Sequence, residues 1–256
     1  MYSFGQRLRS LRHGFSYRLS ERLRWSRGIR RESAAGRLDL GAEEGARVEE
    51  LRERYGARFE TRLSAATSRN NYEYLELLDL GRRDCGLDRR GGGTLVDVGS
   101  ASFWYATVLA AFFSPQRMIG VEVEGHRLLR DGHARIDYAR GYVADVPGAD
   151  FVVGDFARMR QPADVITAWF PFLTPAAILA WRLPLSLLAP GLLFESIGHN
   201  LRAGGVFFMV NHGPAEAALA MSWCRSAGLK PVGRRDGGGV LSRHRPTPPV
   251  LSGWAP

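Results

Sequence analysis

From residue 94 onward, short β-rich runs alternate with stretches of helical periodicity, and this alternation constrains the fold more than any other feature of the chain. Strands are predicted at residues 95–98, 118–123, 151–153, 165–168 and 206–210, with helices at about 102–113, 124–139, 175–188 and 215–227. Such an order is typical of an α/β protein with a doubly wound, mostly parallel sheet. Residues 231–235 and 240–243 flank Asp236-Gly237-Gly238-Gly239 and predict a terminal antiparallel hairpin, which brings the sheet to seven strands.

The residues before this sheet predict an N-terminal helical extension over 1–80, followed by the α/β domain over 90–256. One helix is expected at 43–63, and another extends to Leu80 from a cap at Ser68 or Asn70. The first 31 residues form a basic arm with nine arginines and one acid, Glu21. Apolar residues in the arm recur at steps of three and four and predict an amphipathic helix; they are Leu8, Leu11, Phe15, Leu19 and Leu23.

The basic arm admits three interpretations. It docks on the α/β domain as an additional helix, or it binds an anionic membrane or a nucleic acid, or it is an organellar transit peptide. Pairing of the N-terminal helices into a homodimer is a further expectation. The chain carries a net charge of +9, but the arm alone accounts for +8, so the rest of the protein is nearly neutral. This distribution disfavours a general nucleic-acid-binding protein.

Composition excludes several other classes. The chain of 256 residues has no apolar run of the roughly 18 to 20 residues that a membrane span needs. Its two cysteines, Cys85 and Cys224, lack metal-ligand spacing and cannot form a disulfide framework. We therefore expect a soluble cytoplasmic protein without a metal site.

The first strand-to-helix turn is the candidate ligand site, because doubly wound sheets bind ligands beyond the carboxyl ends of their strands. Asp97-Val98-Gly99 places a carboxylate at the tip of the first strand, and Gly99 permits close approach of a ligand to the backbone. The residues from Gly99 to Trp104 do not match Gly-x-Gly-x-x-Gly, which disfavours a nicotinamide dinucleotide.

Four segments in order resemble the class I S-adenosylmethionine-dependent methyltransferases: "LVDVGSAS", "GVEVEGHRL", "FVVGDF" and "HNLRAGGVFFMVNHGP". The first family motif is apolar-apolar-Asp/Glu-x-Gly-x-Gly-x-Gly. Asp97 and Gly99 match it, whereas Ala101 and Phe103 stand at the later glycine positions. The resemblance covers residues 94–243 and implies S-adenosylmethionine as cofactor and S-adenosylhomocysteine as product.

The resemblance also implies roles for individual residues around that cofactor. Glu122 accepts the ribose hydroxyls, with Glu124 as the weaker candidate, and Asp97 holds the α-ammonium group directly or through water. Asp155 accepts from the adenine amino group with Phe156 against the ring. Ser100 and Ala101 complete the cofactor loop.

The acceptor side is expected at the ends of the fourth and fifth strands. Aromatic residues at 169–172 lack the polar lead residue of enzymes that methylate exocyclic base nitrogens, and they suit a flat or apolar small molecule or a cationic amine. His212 is the candidate general base. The candidate substrate-binding residues are Tyr72, Tyr74, Trp169, Phe170, Phe172 and Asn211.

Overall fold

A computed structural model describes residues 2–87 and 92–256. Its helices are α1 (Phe4–Leu23), α2 (Ala42–Tyr55), α3 (Ala65–Asp84), α4 (Ala106–Phe113), α5 (Arg135–Val143), α6 (Pro175–Ala180), α7 (Pro190–Asn200) and α8 (Pro214–Ser226). Its strands are β1 (Thr94–Val98), β2 (Arg117–Glu122), β3 (Ala149–Val153), β4 (Ala163–Trp169), β5 (Leu201–Asn211), β6 (Lys230–Asp236) and β7 (Val250–Ala255). Residue 90, the predicted start of the α/β domain, lies outside the described residues.

The strands form one seven-stranded sheet in the order β3-β2-β1-β4-β5-β7-β6. Strands β1 to β5 are parallel, and β7 lies antiparallel between β5 and β6. The predicted α/β fold class is therefore confirmed. From β1 the chain adds β2 and β3 on one side and then β4 and β5 on the other. The switch point of the fold therefore lies between β1 and β4, beside the tip of β1.

Side chains alternate between the two faces of the sheet because successive residues of a strand point to opposite sides. Leu95 and Val165 belong to a core shared with α3, α4 and α5, while Val96 and Ile166 pack on the opposite face against α7 and α8. The core on the first face includes Leu75 of α3. The N-terminal helices α2 and α3 thus share a hydrophobic core with the sheet.

Two boundary predictions were wrong for local reasons. The predicted helix at 175–188 ends at Ala180, and a separate helix, α7, begins at Pro190, since proline is favoured in the first turn. The predicted helix at 124–139 begins only at Arg135, after a turn segment.

The prediction of a second hairpin strand at residues 240–243 was also wrong. Residues 240–243 form turns, because the backbone N–H groups of Val240 and Leu241 donate to the buried carboxylate of Glu76, at 3.1 and 2.9 Å. The partner of β6 is instead β7, whose apolar residues lie buried between its two neighbours. The remaining helix predictions differ mainly at their ends: α3 begins earlier and is capped by Ser64, and α2 ends at Tyr55.

The basic arm forms α1 and then an extended strap over residues 24–31. Arg24 adopts a left-handed conformation (φ 46°) that ends α1. The strap then runs along α5, where the Arg30 N–H donates to the Asp137 carbonyl at 3.0 Å and the Arg30 carbonyl lies against Gly141. Asp137 of α5 anchors it by accepting hydrogen bonds from the Ser26 hydroxyl and, at 2.9 Å, from the Arg27 backbone N–H. None of the helices among the described residues is long and apolar enough to cross a membrane.

Candidate functional site

The loop after β1 adopts the backbone that a glycine-rich motif would adopt. Gly99 has φ 73°, and Ala101 and Phe103 have φ 51° and 55°. The left-handed region disfavours residues with a Cβ by about 1 kcal/mol or more each. The two positions where glycine is missing therefore keep the glycine conformation, and the sequence departs from the motif more than the backbone does.

Phe103 does not fill the space in front of Gly99. Its side chain is fully buried in the core beneath the loop, where it packs edge-on against Tyr105 at 5.8 Å between ring centroids. It lies against Gly120 of β2: a Cβ added there would be 2.6 Å from the Phe103 ring. A Cβ added to Gly99 would meet nothing within 4 Å, so the outer side of the loop is open.

Ser100 adds a buried polar atom to this loop. The residue has no exposed surface, and its Oγ has no hydrogen-bond partner within the described part of the chain. Buried polar groups are nearly always partnered, so an orphaned hydroxyl next to an open loop indicates a place where a ligand or a water donates or accepts. The residues of the loop thus fit a small polar ligand that approaches the backbone closely.

Glu122 fastens this loop to the tip of β2. Its Oε2 accepts the Ala101 backbone N–H at 2.8 Å, and its Oε1 accepts the Glu124 backbone N–H at 2.9 Å. The side chain is 8 % exposed. Each carboxylate oxygen retains a second lone pair, so the same group can hold the loop and accept from ligand hydroxyls.

Asp97 lies at the switch point itself, fully buried. Its two oxygens accept the hydroxyls of Tyr105 and of Thr167 on β4, each at 2.6 Å. Burial raises the pKa of Asp97 to about 7, and the two hydroxyl donors offset that effect only in part. Tyr105 and Thr167 were not identified from the sequence, although Thr167 is the residue paired with Asp97 in the β1–β4 register.

Glu124, the weaker candidate for the ribose hydroxyls, is occupied by two guanidinium groups. It forms ion pairs with Arg127 and Arg135 at 3.0 and 3.2 Å. Burial raises the pKa of Glu124 to about 7 despite these two guanidinium groups.

Asp155 follows β3 and is partly exposed at the same edge. It caps a 3₁₀ turn over Phe156–Arg158, accepting the Ala157 N–H at 3.1 Å, and pairs with Arg158 at 3.3 Å. The neighbouring Phe156 ring is only 3 % exposed and packs in the core on the α7 side. The structure therefore leaves Asp155 accessible, whereas Phe156 lies mainly in the core.

Tyr17 of α1 reaches the same region and was missed in the sequence. Burial raises the pKa of Tyr17 to about 12, with further contributions from the charges of Glu21, Asp155 and Glu122. Its ring packs against the same buried cluster as Val123, which directly follows β2. The only available signal was its position on the helix, opposite the leucine stripe.

A group of aromatic side chains lies between α3 and the end of β4. Tyr74 stacks on Trp169 at 4.1 Å with an angle of 17° between the rings, and it contacts Trp104 at 4.7 Å. Trp169 is 6 % exposed, and its indole Nε1 has no partner among the described residues. Tyr74 and Trp169, two of the candidate substrate-binding residues, are thus brought together.

Phe170 extends this group toward β5. Its ring stacks on His212 at 4.3 Å, and the guanidinium of Arg245 lies over it at 4.7 Å. Arg245, which also pairs with Glu73, was not identified from the sequence. His212 is exposed, and the adjacent Asn211 is fully buried with its Nδ2 donating to Glu216 at 3.2 Å and its Oδ1 unpartnered within the described chain.

Tyr72 and Phe172 lie outside this group. Residues two apart in a helix point about 200° apart, so Tyr72 faces away from Tyr74. Its hydroxyl pairs with Arg52 and Glu60 in the packing between α2 and α3. Phe172 contacts Trp181 at 5.6 Å in a separate cluster under α1.

Comparison with solved structures shows what fold this arrangement belongs to. A methyltransferase from Haloferax volcanii, in complex with the Trm112 methyltransferase activator, matches with a TM-score of 0.50 at 17 % identity, over 75 % of this chain and 94 % of its own. A SAM-dependent methyltransferase from Aquifex aeolicus matches with a TM-score of 0.51 at 14 % identity, over 71 % and 92 % of the two chains. The chain has the class I methyltransferase fold.

A third structure of this fold contains a ligand. The N-methyltransferase NodS from Bradyrhizobium japonicum WM9, in complex with S-adenosylhomocysteine, matches with a TM-score of 0.50 at 14 % identity, over 82 % of this chain and 97 % of its own. No protein-family model matches the chain, and no curated protein matches it in sequence. At this identity the likeness establishes the class I methyltransferase fold and nothing about the acceptor.

Proposed function

We propose that this protein is an S-adenosylmethionine-dependent methyltransferase that acts on a small molecule. The observation that carries the proposal is the loop after β1. It keeps three left-handed positions, an open Gly99 and an unpartnered Ser100 hydroxyl at the switch point of a methyltransferase fold. When bound, the cofactor supplies an electrophilic methyl group on a sulfonium, which passes in line to the acceptor.

Different residues around the loop would bind different parts of the cofactor. Glu122 accepts the ribose hydroxyls through its free lone pairs while it holds Ala101 in place. Asp155, accessible after β3, accepts from the adenine amino group. Because Asp97 is fully buried with both oxygens accepting hydroxyls, it orients Tyr105 and Thr167, and its contact with the α-ammonium group would pass through water.

The acceptor site would lie against the aromatic side chains at the ends of β4 and β5. Trp169 and Tyr74 stack on each other and are nearly buried, so they would form an apolar floor that favours a planar or apolar acceptor above it. A cationic amine is less favoured beside Phe170, because the Arg245 guanidinium already lies over that ring. His212, exposed beside Phe170, would take the proton that an acceptor hydroxyl or amine loses as the new bond to carbon forms.

Calorimetric titration of the protein with S-adenosylmethionine and with S-adenosylhomocysteine tests the cofactor assignment. We expect micromolar binding of both, weakened at least about tenfold in Glu122→Ala, because hydrogen bonds to a charged group are each worth about 1.5–3 kcal/mol. Ser100→Ala is expected to weaken binding severalfold with no loss of folding. Glu53→Gln, an exposed acid on α2, serves as the matched control and should bind as the wild type does.

The result that contradicts the proposal is a folded wild-type protein that binds neither compound. The protein would then be a non-catalytic member of this fold. Binding that Glu122→Ala and Ser100→Ala leave unchanged would instead show that the ligand lies elsewhere and refute the site.

A further inference from the structure

Helix α1 contacts the protein through the face opposite its apolar stripe, whereas an ordinary amphipathic helix contacts it through the apolar face. Its buried or half-buried residues are small or polar: Gly14 is buried, and the Ser10 hydroxyl accepts the Leu185 backbone N–H at 2.9 Å. Gly14 lies close to Pro184, so the helix packs closely on the segment after α6, and Tyr17 is the large side chain that this face directs into the protein. The hydrophobic stripe plays no part in this contact.

The stripe predicted from the sequence faces solvent. Leu8, Leu11 and Phe15 are 59, 69 and 66 % exposed, and Phe4 is 83 % exposed. At 100° per residue, these four side chains lie within a sector of about 60° on one side of the helix. Of the 13 large hydrophobic side chains that are exposed among the described residues, nine lie between Tyr2 and Ile29. Such a concentration marks an interaction surface, since scattered exposed residues would not be confined to one helix and its strap.

Arginines border the stripe on both sides. Arg7 and Arg18 lie along one edge and Arg12 along the other, all of them exposed. None of the three forms an ion pair with an acid in the part of the chain that the structure describes. Glu21, the one acid of the arm, is half-buried and lies on the side of the helix that faces the protein. From Phe4 to Leu19 the exposed surface of α1 is therefore apolar in the middle and cationic at its margins, and Arg22 adds a further exposed cation at the end of the stripe.

The combination of an apolar stripe and bordering arginines favours one of the possible binding partners of α1. A second copy of α1 would bring arginine against arginine without a carboxylate between them, so charge opposes self-association. A nucleic acid would use the arginines but would leave the leucines in water, because its recognition depends on charge and on base stacking. An anionic bilayer satisfies both features, since lipid phosphates pair with the arginines while the leucines and phenylalanines enter the acyl boundary.

We propose that α1 is an interfacial helix that docks this protein on an anionic membrane surface. The helix lies in the plane of the membrane without crossing it, and its opposite face stays on the protein with Tyr17 directed at the residues after β2. This inference does not depend on the proposed methyltransferase activity.

The test is flotation of the full-length protein with phosphatidylcholine vesicles that either contain or lack phosphatidylglycerol. We expect binding only to the anionic vesicles, and weaker binding as salt rises. The triple variant Arg7→Gln/Arg12→Gln/Arg18→Gln should lose on the order of a hundredfold in affinity, from the contribution of each arginine near an anionic surface. Leu8→Gln/Leu11→Gln/Phe15→Gln should lose at least about as much, from the apolar area that no longer enters the bilayer.

A matched control is available elsewhere on the surface. Leu128→Gln/Leu192→Gln replaces two leucines that are 52 and 53 % exposed outside the arm, and it should bind vesicles as the wild type does. Circular dichroism of each variant checks folding, which all of these exposed substitutions should preserve.

Three results would overturn the proposal. The first is a folded wild-type protein that does not float with anionic vesicles. The second is binding that neither triple variant reduces. The third is a dimer, detected by analytical ultracentrifugation without lipid, that the apolar triple variant converts to a monomer; a second copy would then be the partner of the stripe.

Discussion

Helices α1 and α3 have the same length, 20 residues, and both carry apolar residues at helical spacing, yet they relate to the protein in opposite ways. In α3 ten residues are buried, whereas in α1 only Gly14 is buried. Amphipathic periodicity therefore shows that a helix has an apolar face, but does not show what that face contacts. Substitutions in the two helices can test this contrast directly.

The largest difference is expected for a matched pair of leucines. Leu75 of α3 has no exposed surface, so Leu75→Ala should lower the free energy of unfolding by about 3 to 4 kcal/mol through lost burial and the cavity left behind. Leu11→Ala in α1 should change it by about 0.5 kcal/mol or less, because Leu11 is already in water. Urea denaturation measures both values. Equal losses in the two variants would show that the α1 stripe is packed against the protein in solution.

The buried acids of α3 offer a second contrast. Glu76 is 1 % exposed and accepts the N–H groups of Val240 and Leu241 together with Nε of Arg47 at 3.0 Å. Glu76→Ala should cost about 3 kcal/mol, because it leaves two backbone N–H groups and the Nε of Arg47 without an acceptor, although Glu50 and Asp79 still pair with that guanidinium. Glu76→Gln keeps an acceptor and should cost less. Urea denaturation of both variants checks the order, and equal losses in the two would show that the negative charge, which both variants remove, decides the cost rather than the acceptor atom that Gln keeps.

The third prediction concerns the pH dependence of stability and Asp97, which lies beneath α3. The ring of Tyr74 in α3 is 5.1 Å from the ring of Tyr105, whose hydroxyl donates to Asp97. The pKa of Asp97 is raised to about 7 in the folded protein, against about 3.9 in an unfolded chain. The folded state therefore binds the extra proton between these values. The contribution of Asp97 to the free energy of unfolding should be greatest below about pH 4. It should fall as the pH rises to about 7, by up to about 1.4 kcal/mol per pH unit.

Urea denaturation across this pH range, in the wild type and in Asp97→Asn, measures the effect. The substitution should remove a fall of this size from the pH profile, while Glu124, whose pKa is also raised to about 7, continues to contribute in the same direction. An identical profile in the two proteins would show that Asp97 is ionised in the fold already at acidic pH.

The smallest expected effect is local to α1 and its strap. Asp137→Asn weakens the acceptor of the Ser26 hydroxyl and of the Arg27 N–H, so opening of residues 24–31 should become easier by about 1 kcal/mol. Hydrogen exchange should then be roughly fivefold faster in the strap and in α1, and unchanged in α3. Asp236→Asn, on the exposed strand β6, is the control. Faster exchange in α3 as well would mean that the two helices open together.

Much of the fold was predictable because its signals are local. The five parallel strands lie where runs of β-branched and apolar residues predicted them, and helices α4 and α8 follow from the helical periodicity between and after them. The predictions that were wrong depended on distant partners. Residues 240–243 did not form a strand because Glu76, far away in sequence, captures two of their N–H groups. The assignment of residues to a cofactor and an acceptor stays a prediction, which the binding experiments test.

By itself, the sequence determined the α/β class and the position of Asp97 and the loop after β1, since each depends on neighbouring residues or on alternation along the chain. The strand order that makes the tip of β1 the switch point was decided by tertiary pairing. Only the tertiary structure decided that Phe103 lies beneath the loop, because the space for its ring exists only over Gly120 of the adjacent strand. It also decided that the α1 stripe faces outward, because packing is governed by the surface that a helix meets, and here Gly14 and Ser10 fit that surface.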